Sequence, residues 1–393
     1  MQPLSPPHDL TIPEPGSTTA RDILSRAIRR AMQDLMRLAS TPGDRELVAF
    51  KPVLQRLVRD SPGAIASALR RPNVGGHLRC LRRRAPELPF ARGVAELLAT
   101  LYTDLAHAHA LPEPVVLHRL PERIVSLAAR RVLEVPAGAE RAHFGRGTLC
   151  FRGPGLELEI DLHAPDPEPR LLPITEHLLL ACVDDNPLAM SEAHPDKQGN
   201  AVDLGARPTS EWIAALADAL ELIARYMPEL RGEIDLYLHT LVPVGWDEHQ
   251  HLSASYQEVI GTVYMTLHPQ RMTMVEAIIH EFQHNKLHAL LELDPLLHNA
   301  FAPLYSSPVR PDPRPLQGVL LAVHAFQPVA RLYQLMRDAG HPGTEQPDFV
   351  RRYAQIMKGN HEGASVLLEH GQPTAIGQGL LDEIRRHDRE AAG

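Results

Sequence analysis

The sequence predicts an α+β protein: a mostly helical N-terminal region, then short strands, then long helices gathered around a histidine motif. Three observations carry this. Apolar residues recur at helical spacing through roughly the first 110 residues. After Pro112 the pattern changes to short runs such as Leu156-Glu157-Leu158-Glu159-Ile160, separated by Gly and Pro. Finally, Met272 to Leu293 contains neither Gly nor Pro and carries His280-Glu281-Phe282-Gln283-His284. On a helix the two histidines of this H-E-x-x-H stack one turn apart on the same face.

At 393 residues the chain is long enough for two or three domains, and 44% hydrophobic with 22% charged residues is ordinary for a globular protein. A net charge of −8 argues against a polyanion binder. The local exception is Arg70 to Arg84, with six arginines, and such runs are more often solvated helix faces than nucleic-acid surfaces. Cys80, Cys150 and Cys182 are far apart and form no C-x-x-C, so reduced thiols and a cytoplasmic location are expected. The first residues lack the charged-then-apolar order of a signal peptide, and no apolar run approaches a membrane span.

In chain order, the Pro-rich residues 1–18 read as a disordered tail. Residues 19–112 form the helical region, with Ile23, Leu24, Ala27, Ala31, Leu35 and Leu38 marking its first helix. Residues 113–230 are mixed: strands at Arg131 to Val135, Thr148 to Phe151, Leu156 to Leu162 and Leu178 to Val183, then a helix from Glu211 to Met227. Between them, Ser191 to Asn200 is dense in possible ligands but has the composition of a turn. Residues 231–393 hold the motif, with strands expected at Ile234 to Val244 and Tyr256 to Leu267. Helices follow at Leu316 to Ala339, Pro347 to Lys358, His361 to His370 and Thr374 to His387.

His280 and His284 provide two imidazoles for one metal ion, and Glu281 sits beside them. A catalytic metal needs a third protein ligand. His288 lies two turns past His280, about 12 Å along the axis, too far to share an ion with it. Neither His298 nor Glu292 is favoured by its position. His324 is the best candidate, because an imidazole in the apolar part of a helix costs free energy unless it is paired; a buried hydrogen-bonded histidine is the alternative. Before that helix, the prolines of Ser306 to Pro315 restrict where Arg310 and Arg314 project. Guanidinium groups bind carboxylates through paired hydrogen bonds, and Asp312 is the competing partner.

The residues from His280 to His284, Arg310-Pro-Asp-Pro-Arg314-Pro, Gly318-Val-Leu and His324-Ala-Phe resemble a family of H-E-x-x-H enzymes encoded with ribosomally synthesised peptides. Asp185-Asn-Pro-Leu188, Glu192 to Asn200 and Ser253 to Gly261 extend the likeness, which covers roughly residues 180–335. It implies a zincin-like catalytic region, in which a strand precedes the motif helix and an edge strand borders the metal cleft. It also implies Fe(II) held by His280, His284 and His324, and 2-oxoglutarate held through Arg310 or Arg314. With O2, these would β-hydroxylate a residue of a precursor peptide laid beside the strand 261–267. Glu281 would then orient ligands or substrate. Three histidines depart from the usual two-His-one-carboxylate iron pattern, which keeps a zinc metallopeptidase, with Glu281 as general base, as the alternative. A non-catalytic peptide binder is a third reading, against which the intact motif argues. Neither a nucleic-acid nor a membrane partner is expected, and the sequence does not fix the oligomeric state.

Overall fold

The computed structural model describes residues 5–191, 193–194, 197–306 and 312–392. Five helices come first: α1 (Thr19–Leu38), α2 (Arg45–Asp60), α3 (Pro62–Arg70), α4 (Pro72–Arg83) and α5 (Phe90–His107). Pro62 and Pro72 stand in the first turns of α3 and α4, where a missing N–H costs nothing. Six strands follow: β1 (Val115–Leu117), β2 (Arg123–Ser126), β3 (Arg131–Glu134), β4 (Arg141–Phe144), β5 (Thr148–Gly153) and β6 (Leu156–Asp161). An antiparallel sheet in the order β1-β4-β5-β6 packs on α5, while β2 and β3 form a separate hairpin.

The C-terminal half is built around a second sheet. Its elements are β7 (Leu171–Pro173), β8 (Leu179–Ala181), the two-residue pair β9 (Ala193–His194) and β10 (Lys197–Gln198), and the helices α6 (Thr209–Tyr226) and α7 (Pro228–Tyr237). Then come β11 (Thr240–Trp246), β12 (Ser253–Ala254), β13 (Thr262–Leu267) and the motif helix α8 (Arg271–Leu291). The short strands β14 (Leu304–Tyr305) and β15 (Arg314–Pro315) lead into α9 (Leu316–Asp338), α10 (Pro347–His370) and α11 (Ala375–Ala392). The five-stranded order is β12-β13-β11-β8-β7; β8, β11 and β13 are parallel, and both edge strands run antiparallel.

The period-2 alternation of strands sorts this sheet into two faces. Leu180, Leu241, Val263 and Met265 join the core that contains Ile278, Ile279 and Phe282 of α8. Leu179, Ala181, Val242 and Tyr264 face the other way, against Val125 and Val132 of the β2–β3 hairpin. Helix α8 is covered on nearly every side, by α1, α6, α7, α9 and the sheet, so even Gln283, Lys286 and His288 are buried.

Three expectations are corrected. Residues 5–18 are not a disordered tail: Leu10 and Thr11 are fully buried, and their amides donate to the Glu383 carboxylate of α11 at 2.9 and 2.7 Å. Ile234 to Tyr237 is helical, because Leu230, Ile234 and Tyr237 bury one face of a helix started by Pro228. Tyr256 to Gly261 is a turn rather than strand, ending at Gly261 with φ +105°, where a Cβ would come within 3.0 Å of the Tyr237 carbonyl oxygen. Among the described residues, no helix is long and apolar enough to cross a membrane.

Candidate metal centre on α8

His280 and His284 face the same side of α8, with ring centroids 4.3 Å apart and planes nearly perpendicular, at 83°. Ligand atoms of His280, Glu281 and His284 all lie within 4.8 Å of one another. Both imidazoles are half-buried, so the site has a sheltered but reachable mouth.

Glu281 is fixed from the edge of the sheet. In β12 and just after it, Ser253 and Ser255 are two residues apart and point to the same face, while Ala254 points to the other. Ser253 Oγ donates to Glu281 Oε1 at 2.7 Å, and Ser255 Oγ donates to Oε2 at 2.8 Å. His280 Nδ1 lies 3.1 Å from Oε1. Burial alone would raise this carboxyl, but the His280 hydrogen bond, the charges of His280 and His284, and the Ser253 hydroxyl hold it at about 2. With Nδ1 donating to Glu281, His280 keeps Nε2 as its free nitrogen.

The neighbouring imidazoles are short of partners. His284 Nδ1 is buried without a hydrogen bond, and burial, then the proximity of His280, depresses its basicity to about 3. His288 stacks on His284 at 6.2 Å; its Nδ1 is also unpartnered, and burial lowers it to about 4. His324, in the middle of α9, is 0% exposed, and neither ring nitrogen has a partner. Burial first, and then Lys286, His284 and His288, push it well below the ordinary histidine range. His324 is not in the group gathered within 4.8 Å. Instead α9 contributes Phe326, whose ring lies 5.0 Å from that of His280.

A buried polar atom without a partner costs about 1–3 kcal/mol, and a bound divalent cation removes that cost. Imidazoles held neutral are the form that ligates. The donor set at His280 and His284, with orphaned nitrogens on His284 and His324, therefore fits a divalent metal, and imidazole suits iron and zinc alike.

The expected arginines are divided. Arg310 lies outside the described residues. Arg314, in β15, pairs with Asp312, Nε to Oδ2 2.8 Å, the competing arrangement foreseen from the sequence. Glu292, weighed as a ligand, is committed elsewhere: Arg82 reaches both its oxygens at 3.0 and 2.8 Å. The Arg70 to Arg84 run is correspondingly not one solvated face: it spans the end of α3 and the largely buried helix α4, with Arg70, Arg71, Arg79 and Arg82 half-buried and Arg83 and Arg84 exposed.

Sequence reasoning missed three residues. Ser253 and Ser255 stood in a stretch noted only for its resemblance. His251 is partly buried near His280 and Glu281, with Nδ1 3.2 Å from Thr266 Oγ1, Nε2 unpartnered, and basicity lowered to about 4 by burial and then His268. The alternation Ser-Ala-Ser ahead of an H-E-x-x-H helix was the available signal. Comparison of the chain with protein-family models and with curated proteins gives no match.

Proposed function

We propose that this chain is a non-haem Fe(II)- and 2-oxoglutarate-dependent oxygenase that β-hydroxylates a residue of a ribosomally synthesised precursor peptide. One observation favours it over the alternative, a zinc metallopeptidase. Glu281 is 1% exposed, and both its oxygens already accept serine hydroxyls. A general base must meet the water it deprotonates within hydrogen-bond reach. A carboxylate enclosed in this way instead orients His280 and ties the sheet edge to α8, the role expected of it in an oxygenase.

In this reading His280, His284 and His324 would hold the metal. Iron with 2-oxoglutarate and O2 would supply the oxidant that exchanges a Cβ hydrogen for hydroxyl. The chain's own share is positioning and exclusion of water. Arg310 or Arg314 binds a carboxylate of the keto acid, and Arg314 does so by exchanging Asp312 for it. Phe326 shields one side of His280. The expected docking of peptide against 261–267 is corrected, since β13 is paired on both sides. The open edge is β12, whose serines touch Glu281, and an extended peptide added there would pass the metal. An antiparallel edge strand beside the strand that leads to the motif helix supports a zincin-like architecture for this half. Three free thiols agree with a cytoplasmic location.

The test is mass spectrometry of the neighbouring precursor peptide after incubation with Fe(II), 2-oxoglutarate and air. Gain of one oxygen, dependent on the keto acid and matched by succinate, is expected. Peptide fragments formed with zinc alone overturn the reading. Glu281→Gln separates the two as well: loss of a general base costs ~10²–10⁴-fold, whereas an orienting residue costs about 10–100-fold and weakens metal retention.

A further inference from the structure

Away from the metal centre, a cavity opens where the junction of α3 and α4, the β2–β3 turn, the loop before β8 and the approach to β11 meet. Its volume is about 240 Å³. That is below the ~300–1,000 Å³ of drug-sized ligand sites and leaves room for a small ion with a few waters. Three arginines line it, and their commitments differ. Arg71 is matched, with Nη1 3.1 Å from Asp104 Oδ2. Arg130 is exposed and reaches only the Glu176 backbone carbonyl, at 3.5 Å. Arg70 is half-buried: Nη2 donates to the Leu236 carbonyl, but the buried Nε has no acceptor. Neither Arg70 nor Arg130 forms an ion pair among the described residues. The carboxylates of the wall do not fill the gap, since Asp235 is paired with Arg231 and Glu176 stands exposed at the rim.

The sign of the missing partner is read from His239, which also lines the cavity. Its amide donates to the Gly261 carbonyl at 2.9 Å, and its own carbonyl accepts from the Leu179 amide at 2.9 Å, so its backbone is held from both sides. Its Nε2 is buried without a partner. Burial first, and then Arg70, Arg71 and His177, lower its basicity to about 3, with no carboxylate pulling the other way. Burial and then Arg71 likewise lower the Arg70 guanidinium, and no carboxylate offsets them. The surroundings are therefore positive and the unmet atoms are nitrogens. Arg70 Nε always carries a hydrogen, and a neutral imidazole can carry its own on Nε2. An oxyanion supplies acceptors for both, which a cation cannot.

We propose that this cavity binds a small oxyanion, a carboxylate or a phosphate group, held by the guanidinium groups of Arg70 and Arg130 and by Nε2 of His239. The planar fork of a guanidinium matches the paired oxygens of either group. Because the wall is drawn from the N-terminal helices, the hairpin and the second sheet, a bound anion also ties these regions together. The inference does not rest on the proposed hydroxylation.

Calorimetric titration of the full chain in low-salt buffer tests it, with inorganic phosphate, acetate and neutral acetamide as probes. At least one of the two anions is expected to bind about tenfold or more tightly than acetamide, the factor that a hydrogen bond to a charged group supplies. Tighter binding of phosphate than of acetate assigns the site to phosphate groups, and the reverse order assigns it to carboxylates. Arg70→Gln should weaken that binding at least about tenfold. Arg130→Gln removes an exposed side chain with a single weak bond, so its melting temperature should match the parent's while anion binding weakens about two- to fivefold. Anions that bind no more tightly than acetamide, or titrations of both variants that match the parent's, overturn the proposal. Neither variant touches His280, His284 or the arginines assigned to the keto acid, so a changed titration reports on this cavity whether or not the chain hydroxylates a peptide.

Discussion

Helices α4 and α8 both bury polar side chains, and the arginines of the first are treated in the opposite way to the histidines of the second. On α4 and its flanks Arg71, Arg79, Arg82 and Arg83 are matched, and Arg70 through one nitrogen. Arg71 meets Asp104 at 3.1 Å, Arg82 bridges Asp34 and Glu292, Arg83 bonds Glu258 and Glu292, and Arg79 donates to the Glu258 carbonyl at 3.1 Å. Arg70 donates to the Leu236 carbonyl. The Glu292 bonds clamp α4 onto the C-terminal end of α8, and the others tie α3 and α4 to α1, α5, α7 and the turn before β13. On α8 and its neighbour α9, by contrast, nitrogens of His284, His288 and His324 are buried with nothing to bond. A satisfied buried charge holds the fold together, whereas an unsatisfied buried imidazole carries a cost that a bound partner would remove.

The strongest test of that contrast removes a motif histidine. His280→Ala or His284→Ala should lower metal affinity at least about 100-fold, read as metal content after purification without air, while the melting temperature of metal-free protein stays near that of the parent. His324→Leu goes further. If its nitrogens are orphans without metal, an apolar residue of similar volume should stabilise the metal-free protein by about 1–3 kcal/mol and still abolish metal retention. A variant that keeps full metal and full activity removes His324 from the ligand set.

What the sequence shows of this molecule follows how local each feature is. H-E-x-x-H is written within one helical turn, so the cluster of His280, Glu281 and His284 is legible in five residues. Strand β6 is legible from its alternation. The run from Ile234 to Tyr237 misleads because a short apolar stretch fits a strand as well as one buried helix face, and only Pro228 upstream argues for the helix. The burial of Leu10 depends on Glu383, which lies nearly the whole chain away, and no pattern near residue 10 announces it. Likewise α4 looks solvated because its partners Asp34, Asp104, Glu258 and Glu292 are scattered, and the cavity at His239 draws its wall from four separate segments.

The matched helix makes the opposite prediction. Glu292→Ala should leave metal content unchanged but destabilise the protein by about 1–3 kcal/mol, since Arg82 and Arg83 lose a shared carboxylate in a partly buried setting. Denaturant unfolding with parallel metal analysis checks both halves. Loss of metal without loss of stability would place Glu292 in the site after all.

The smallest effect concerns a group between these extremes. Asp184 is enclosed and takes the Tyr264 hydroxyl at 2.8 Å, but no cation forks its carboxylate. Burial, and then the charge of Asp185, push its carboxyl from the ordinary 3.8 to about 7; the Asn186 amide, the Tyr264 hydroxyl and Arg123 pull the other way and lose. A carboxyl raised in the folded state contributes stability that is complete below 3.8 and is lost as pH rises through about 7. Nearby His77 acts in the same direction: burial lowers its basicity, but Asp185 and Glu96 outweigh that and raise it overall, so its contribution also fades as pH rises. The melting temperature should therefore fall as pH rises from about 4 to about 7 on account of Asp184, with the His77 part added above 6.5. In Asp184→Asn the fall should be shallower, leaving only the His77 part, and the variant should be the more stable of the two at pH 8. If the two melting profiles run parallel, Asp184 is ionised throughout, and an unrecognised cation already matches it as the arginines of α4 are matched.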